Sequence, residues 1–93
     1  MQDRYEDRAK KLITVLGNVI QEYRNKQRKS VYSISAEVCM SKSTWREAEL
    51  GVCKDIKLTT LWKIAEGLDI PASEILNQVR IELGQDFSLA DLK

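Results

Sequence analysis

Two short stretches between residues 30 and 51 each follow a serine, and this pair constrains the fold more than any other feature. Ser30 precedes the sequence VYSISAEV, and Ser41 precedes KSTWREAEL. A serine hydroxyl at this position accepts a hydrogen bond from an unpaired N–H group in the first turn of a helix. The segment therefore predicts two short helices joined by a tight turn, and Gly51 is expected to end the second helix with a left-handed backbone.

The apolar residues of these two helices fall on one side. Ile34 and Val38 are four residues apart on the first helix, and Trp45 and Ala48 are three apart on the second. The opposite side of the second helix is polar and can meet a base edge or a phosphate. Its residues are Lys42, Ser43, Arg46 and Glu47.

The flanking segments also have helical periodicity. Between Asp3 and about Lys26, apolar residues recur every three or four positions, which predicts a long amphipathic helix. Gly17 lies within it and costs about 1 kcal/mol of helix stability relative to alanine. The sequence therefore allows either a kink or a break into two helices at this residue. A fourth helix is predicted over residues 58–68, with Leu58 and Trp62 on its apolar face. A fifth is predicted to begin at Pro71 and to end at Gly84.

Composition restricts the class of protein. Ninety-three residues with 43% hydrophobic content suit one small domain. No apolar run approaches the roughly 18 residues of a membrane-spanning helix, and the N-terminus has no apolar signal core, so a cytoplasmic protein is expected. With no histidine and four scattered glycines, zinc sites, nucleophilic triads and phosphate loops are not expected. We expect no enzyme activity, metal, cofactor or small-molecule ligand, and we interpret Cys39 as a small buried apolar group.

Charge is unevenly distributed along the chain. Residues 21–57 carry a net charge of +3, whereas residues 66–93 carry −4. This pattern suits a protein that presents one face to a polyanion. Ordinary solvated charges are the alternative, and charge counting does not separate the two.

The order of two capped helices around a short turn, followed by Glu49-Leu50-Gly51, resembles the helix-turn-helix of phage-repressor type, the XRE family of bacterial and phage regulators. Residues 16–20 with Tyr23 and Arg24 resemble the first helix of that family, and residues 61–68 and 73–76 resemble its fourth and fifth helices. The resemblance implies an all-α fold, a compact five-helix lambda-repressor-like domain. It would occupy residues 16–83, with the motif at 30–51.

Two segments then lie outside the family pattern. Residues 1–15 form a helical extension that packs either on the domain or on a second subunit. Residues 84–93 form a tail that is either a short docking helix or a frayed terminus.

The resemblance implies a sequence-specific, double-stranded DNA-binding transcription regulator, a repressor or a small controller protein. It would bind a palindromic operator as a homodimer, with the second motif helix in the major groove. The implied base-contacting residues are Lys42, Ser43, Thr44, Arg46 and Glu47. The implied phosphate-contacting residues are Arg28, Lys29, Ser30, Tyr32, Ser33, Lys54 and Lys57, with Arg24 a further candidate. Ile75, Val79, Leu83 and Phe87 would form the dimer interface.

Four residues depart from the family pattern. Val31 stands where a glutamine usually begins the first motif helix, and Ser35 replaces the small apolar residue at the helix crossing. Cys39 replaces the usual glycine of the turn, so it must accept a left-handed backbone or change the turn. Trp45 is bulkier than the usual aliphatic residue. The loss of the glutamine and the net charge of only +1 favour an alternative, a protein-interaction module on the same fold, such as an antirepressor or an antitoxin-like partner with little DNA binding.

Overall fold

The computed structural model describes residues 2–90, with side chains from residue 5 onward. Within this range the chain forms five α-helices and no β-strand, so the predicted all-α fold is confirmed. The helices are α1 (Gln2–Lys26), α2 (Val31–Glu37), α3 (Lys42–Leu50), α4 (Leu58–Gly67) and α5 (Ala72–Leu83). Pro71 precedes the last helix as its N-cap, and Gly84 follows it with a positive φ of 88°.

α1 passes through Gly17 as one unbroken helix, so the glycine produces neither a kink nor a break. Its role lies in the packing of α1 on α3. A Cβ atom at this position would lie 2.5 Å from the carbonyl oxygens of both Ala48 and Glu49. The absence of a side chain therefore lets the last turn of α3 rest directly on the backbone of α1.

The hydrophobic core is enclosed by all five helices. Its fully buried side chains come from all five helices. α1 contributes Ile13 as well as the later residues of its stripe, so the buried part of α1 begins before residue 16. The largest core side chains are Ile20, Ile34, Trp45, Ile64, Leu68 and Ile75.

The apolar stripe of α5 is covered by α1 of the same chain. Ile75 and Val79 are 0% and 2% exposed. The prediction that these two residues form a dimer interface is therefore wrong, because no surface of theirs is left for a partner. Leu83 and Phe87 are half-buried and line a cleft of about 410 Å³ against the first half of α1.

α4 buries a narrower stripe than its sequence predicts. Leu61, Ile64 and Ala65 point into the core. Leu58 and Trp62 were assigned to the same apolar face, but they are 70% and 58% exposed. The two residues lie on a flank of the helix that no other element covers.

The C-terminal segment runs back along α1. Residues 84–90 form turns and bends without a helix, and the remaining tail residues, 91–93, lie outside the described residues. Arg8 donates a hydrogen bond from Nη1 to the carbonyl oxygen of Ser88 at 3.1 Å, which joins the tail to the first half of α1. None of the five helices combines the length and the apolar character that crossing a membrane requires.

Candidate nucleic-acid interface

Both motif helices begin with the predicted serine caps. The Ser30 hydroxyl accepts a hydrogen bond from the N–H group of Ser33 at 3.1 Å, and the Ser41 hydroxyl accepts one from Thr44, also at 3.1 Å. The caps fix where α2 and α3 start, and therefore which residues occupy the first turn of α3. The two predicted caps are confirmed.

The turn between α2 and α3 is built on a left-handed Cys39, with a φ of 56°. The N–H of Met40 donates to the carbonyl oxygen of Ser35 at 2.9 Å, and the N–H of Cys39 donates to Ala36 at 3.2 Å. This pair of bonds is the Schellman ending of a helix. The side chain of Cys39 is exposed, so the prediction that it is buried is wrong; the left-handed backbone turns it away from the two helices.

Ser35, the predicted crossing residue on α2, is only 2% exposed. Its hydroxyl donates to the carbonyl oxygen of Val31 at 2.7 Å, so burial leaves no unsatisfied polar group there. Val31 is half-buried and packs against the core. Serine therefore fits the crossing as expected, and valine at the start of α2 serves packing.

A buried polar network fixes α3 against α1. The indole N–H of Trp45 donates to Glu49 Oε2 at 2.7 Å. Arg24 donates to both oxygens of the same carboxylate, with Nη2 3.0 Å from Oε1. Its Nη1 also donates to the carbonyl oxygen of Lys29 at 2.8 Å. The hydrogen bond with Glu49 raises the pKa of Arg24 above its ordinary value, while burial acts in the opposite direction.

This network corrects the assignment of Arg24. Its guanidinium group is held inside the domain, so it cannot also serve as a free phosphate contact. Glu49 was not singled out from the sequence, although a signal was present. It lies four residues after Trp45, on the side of α3 that turns toward the core, and a carboxylate there needs a buried donor.

The outward face of α3 carries all five predicted base-contacting residues. Trp45, Ala48 and Glu49 are buried on the inner side of this nine-residue helix. The helical repeat places Ser43, Arg46 and Glu47 away from these three residues, and Lys42 and Thr44 at the two edges of the exposed surface. Lys42, Ser43, Thr44, Arg46 and Glu47 are all exposed.

Three exposed cations lie in the connections before α2 and after α3. Arg28 is exposed in the turn after α1, where its φ is 58°. Lys54 and Lys57 are exposed in the loop that follows α3. Lys57 lines a cleft of about 290 Å³ together with Thr44 and Glu47, so this loop lies directly beside the outer face of α3.

The other predicted phosphate contacts divide into two groups. Tyr32 is exposed on α2. The Ser30 and Ser33 hydroxyls are also exposed but take part in the cap of α2, where the Ser33 hydroxyl donates to the carbonyl oxygen of Ser30 at 3.3 Å. Lys29 donates from Nζ to the carbonyl oxygen of Gly67 at 3.0 Å and lies 3.8 Å from Glu37. These contacts give Lys29, Ser30 and Ser33 structural roles and remove them from the set of available groups.

The turn between α1 and α2 is attached to the end of α4. Besides the bond from Lys29, the side-chain amide of Gln27 donates to the carbonyl oxygen of Leu68 at 2.7 Å. The sequence gives no specific signal for Gln27, because the carbonyl it caps is 41 residues away. These bonds hold the start of α2 against the domain.

The exposed side chains around α3 are hydrogen-bond donors, hydrogen-bond acceptors and cations. Over residues 2–90 no group of three or more histidine, cysteine, aspartate or glutamate side chains is placed to hold a metal ion. No protein-family model matches this chain, and no curated protein matches it significantly.

Proposed function

We propose that this protein is a sequence-specific, double-stranded DNA-binding transcription regulator whose α3 enters the major groove, as in helix-turn-helix regulators of phage-repressor type. One observation carries the proposal. α3 is fixed on its inner side by Trp45 and the Arg24–Glu49 pair, and it carries five exposed polar side chains. A rigid helix with an exposed polar face is what direct readout of base edges requires.

The chemistry of this face assigns a role to each side chain. Lys42 donates to the O6 and N7 acceptors of guanine, and Glu47 accepts from the N4 amino group of cytosine. Ser43 and Thr44 bond to base edges as donor or acceptor, and Arg46 binds either a base or a phosphate. These residues carry the sequence preference.

The flanking groups fix the position of the domain on the duplex. Arg28, Lys54 and Lys57 neutralise phosphates, and Tyr32 donates a hydrogen bond to a phosphate oxygen. These contacts are independent of sequence. They supply affinity that weakens as salt is added, because binding releases counterions from the DNA.

Two copies act together on one operator. α3 has nine residues, which span about 13 Å, or roughly four base-pair steps of duplex. Such a short helix reads only a half-site. A homodimer places two α3 helices about 34 Å apart, one turn of DNA, and so reads a palindromic site.

The test is selection from a pool of random duplexes, followed by binding across a salt series. We expect enrichment of a palindrome. We also expect affinity to fall by several powers of the salt concentration if about six phosphates are neutralised. Failure to enrich any sequence, together with weak binding that does not respond to salt, would overturn the proposal.

Matched lysine substitutions separate readout from positioning. We expect Lys42→Ala to lower discrimination at one base pair by about 1–3 kcal/mol, and Lys54→Ala to weaken all sequences alike. Lys10→Ala, an exposed lysine in the first half of α1, is the control and should change neither. Equal, uniform losses from Lys42→Ala and Lys54→Ala would contradict the assigned roles.

A protein-interaction module on the same fold is the second candidate function. It is favoured by the exposed Trp62, an aromatic side chain that none of the proposed DNA contacts uses, and by a net charge of only +1. This alternative predicts that selection from random duplexes enriches no sequence, and that the folded protein binds another protein.

A further inference from the structure

An apolar groove on the α4–α5 side of the molecule is left open to solvent. Trp62 is 58% exposed and forms one wall with Ala65, while Ile70 and Pro71 form the other. The groove has a volume of about 350 Å³. An exposed tryptophan beside an apolar depression is typical of a contact surface, because its indole gains most when both of its faces are covered.

Two leucines extend this groove. Leu58 is one helical turn before Trp62 and is 70% exposed. Leu76 is 46% exposed, and it lies one turn after Ala72, which lines the groove. We call these residues the Trp62 patch: Leu58, Trp62, Ile70, Pro71 and Leu76.

The patch faces away from the flank of α4 that borders α3. Thr60 lines the cleft shared with Thr44 and Glu47 of α3. Trp62 is two residues later, about 200° around the helix axis, and so lies on the other flank. A partner at the patch therefore leaves the outer face of α3 open.

Opposite charges lie at and near the rim of the patch. Glu66 follows Trp62 by one turn on α4, and Arg80 follows Leu76 by one turn on α5; both are exposed. Across the described part of the chain neither side chain takes part in an ion pair. A twofold axis brings the same patch of two copies together, so Glu66 of one copy can meet Arg80 of the other.

The apolar area of the patch is also close to what a weak dimer interface requires. Leu58, Trp62 and Leu76 alone offer on the order of 300 Å² of apolar surface, before the groove walls are added. A standard interface covers about 800 Å² per partner, a little over half of it apolar. The patch with its rim approaches the lower end of that range, which is appropriate to a weak dimer.

We infer that the Trp62 patch is the surface through which a second copy of this chain docks to form a twofold dimer. The inference rests on the proposed function, which requires two copies on one operator. In this dimer the exposed Trp62 patch takes the place of Ile75 and Val79, which were predicted to form the interface but are buried. The Trp62 indole is the central contact, and Leu58 and Leu76 surround it.

The experiment compares sedimentation of the wild-type protein with two acidic variants of similarly exposed residues. Trp62→Glu should weaken dimerisation by at least about 30-fold, as expected for a central aromatic contact. Ile81→Glu is the control: Ile81 is 62% exposed, but it lies on another side of α5 and should leave the dimer intact. Leu58→Glu provides a second disruption at the start of α4, where an acidic residue suits the helix.

Tryptophan fluorescence provides an independent readout. Of the two tryptophans, Trp45 is 0% exposed and Trp62 is 58% exposed. When dilution dissociates the dimer, Trp62 becomes exposed to water and its emission should shift to longer wavelength. Trp45 stays buried in the core, so the change reports on Trp62 alone. A wild-type protein that is monomeric at all concentrations, or a dimer broken by Ile81→Glu and not by Trp62→Glu, overturns the inference.

DNA binding separates this inference from the function on which it rests. If both are correct, Trp62→Glu binds a single half-site like the wild type but loses the added affinity for the full palindrome. A Trp62-dependent dimer that binds no duplex contradicts only the regulator function. Palindrome binding that survives Trp62→Glu and Leu58→Glu contradicts only the docking surface.

Discussion

Left-handed residues other than glycine end three of the helices in this chain. Arg28, Cys39 and Asp69 have φ values of 58°, 56° and 58°. In each case the residue and its successor donate backbone bonds to the preceding helix, as Gly51 and Val52 do after α3. A side chain in this conformation costs about 1–2 kcal/mol, so the chain stores strain at three of its turns.

We expect Cys39→Gly to raise the free energy of unfolding by about 0.5–1 kcal/mol. Glycine relieves the left-handed strain, and its greater freedom in the unfolded chain offsets only part of the gain. Denaturant unfolding at equilibrium measures the change. Cys39→Ala removes the thiol but keeps the Cβ atom, so it should be nearly neutral. A Cys39→Gly variant no more stable than Cys39→Ala would show that the turn is unstrained.

Contact between α1 and α3 depends on the missing side chain of Gly17. Helix propensity alone predicts that Gly17→Ala stabilises α1 by about 1 kcal/mol. The structure predicts the opposite sign, because the new Cβ would meet two backbone carbonyl oxygens at 2.5 Å. Backbone cannot move aside as a flexible side chain can, so α3 must shift away from α1.

We therefore expect Gly17→Ala to lower the free energy of unfolding by about 2 kcal/mol or more, the size of an overpacking effect after the gain in propensity. Thermal or denaturant unfolding measures it. Asn18→Ala, at the adjacent exposed position, should instead stabilise the protein by a few tenths of a kcal/mol. If the two variants are stabilised alike, the close contact between α1 and α3 does not exist in solution.

Elements whose signals are local could be predicted from the sequence. The serine caps, the left-handed Gly51 and the long helix α1 each depend on residues within a few positions, and all are confirmed. Features decided by distant residues could not be predicted. Ile75 and Val79 have the same spacing whether α1 or a second subunit covers them, and periodicity cannot distinguish the two.

The same limit applies to the candidate site. Helical periodicity was sufficient to place Lys42, Ser43, Arg46 and Glu47 on the exposed side of α3. It could not show that Arg24 pairs with Glu49, 25 residues away, or that Lys29 reaches the carbonyl of Gly67, 38 residues away. A basic run at the end of a helix therefore contains both structural and available cations, and only the fold separates Arg24 and Lys29 from Arg28.

At the scale of the whole molecule, α1 determines the shape. The principal extents are 41 × 22 × 19 Å, and a helix of 25 residues is about 37 Å long. Buried residues of α1 begin at Ile13. The earlier turns lie beyond the core, where Tyr5 is 55% exposed and the bond from Arg8 to Ser88 supplies a link to the tail.

We expect amide hydrogen exchange to divide α1 into two parts. A helical segment shorter than about 12–15 residues is marginal without packing. Amides of residues 5–11 should therefore exchange by local opening, with protection at least about 100-fold lower than that of residues 16–23, whose side chains enter the core. Exchange followed by NMR at each amide measures the difference.

Arg8→Ala tests the cause of any protection in the first part. Loss of the bond to the Ser88 carbonyl should lower protection in residues 5–11 and in the tail, and leave residues 16–23 unchanged. Lys10→Ala, which removes a charge from the same turns at an exposed position, should have little effect. Uniform protection along α1 in the wild type would mean that the whole helix opens with the core, and that its first turns are part of the cooperative domain.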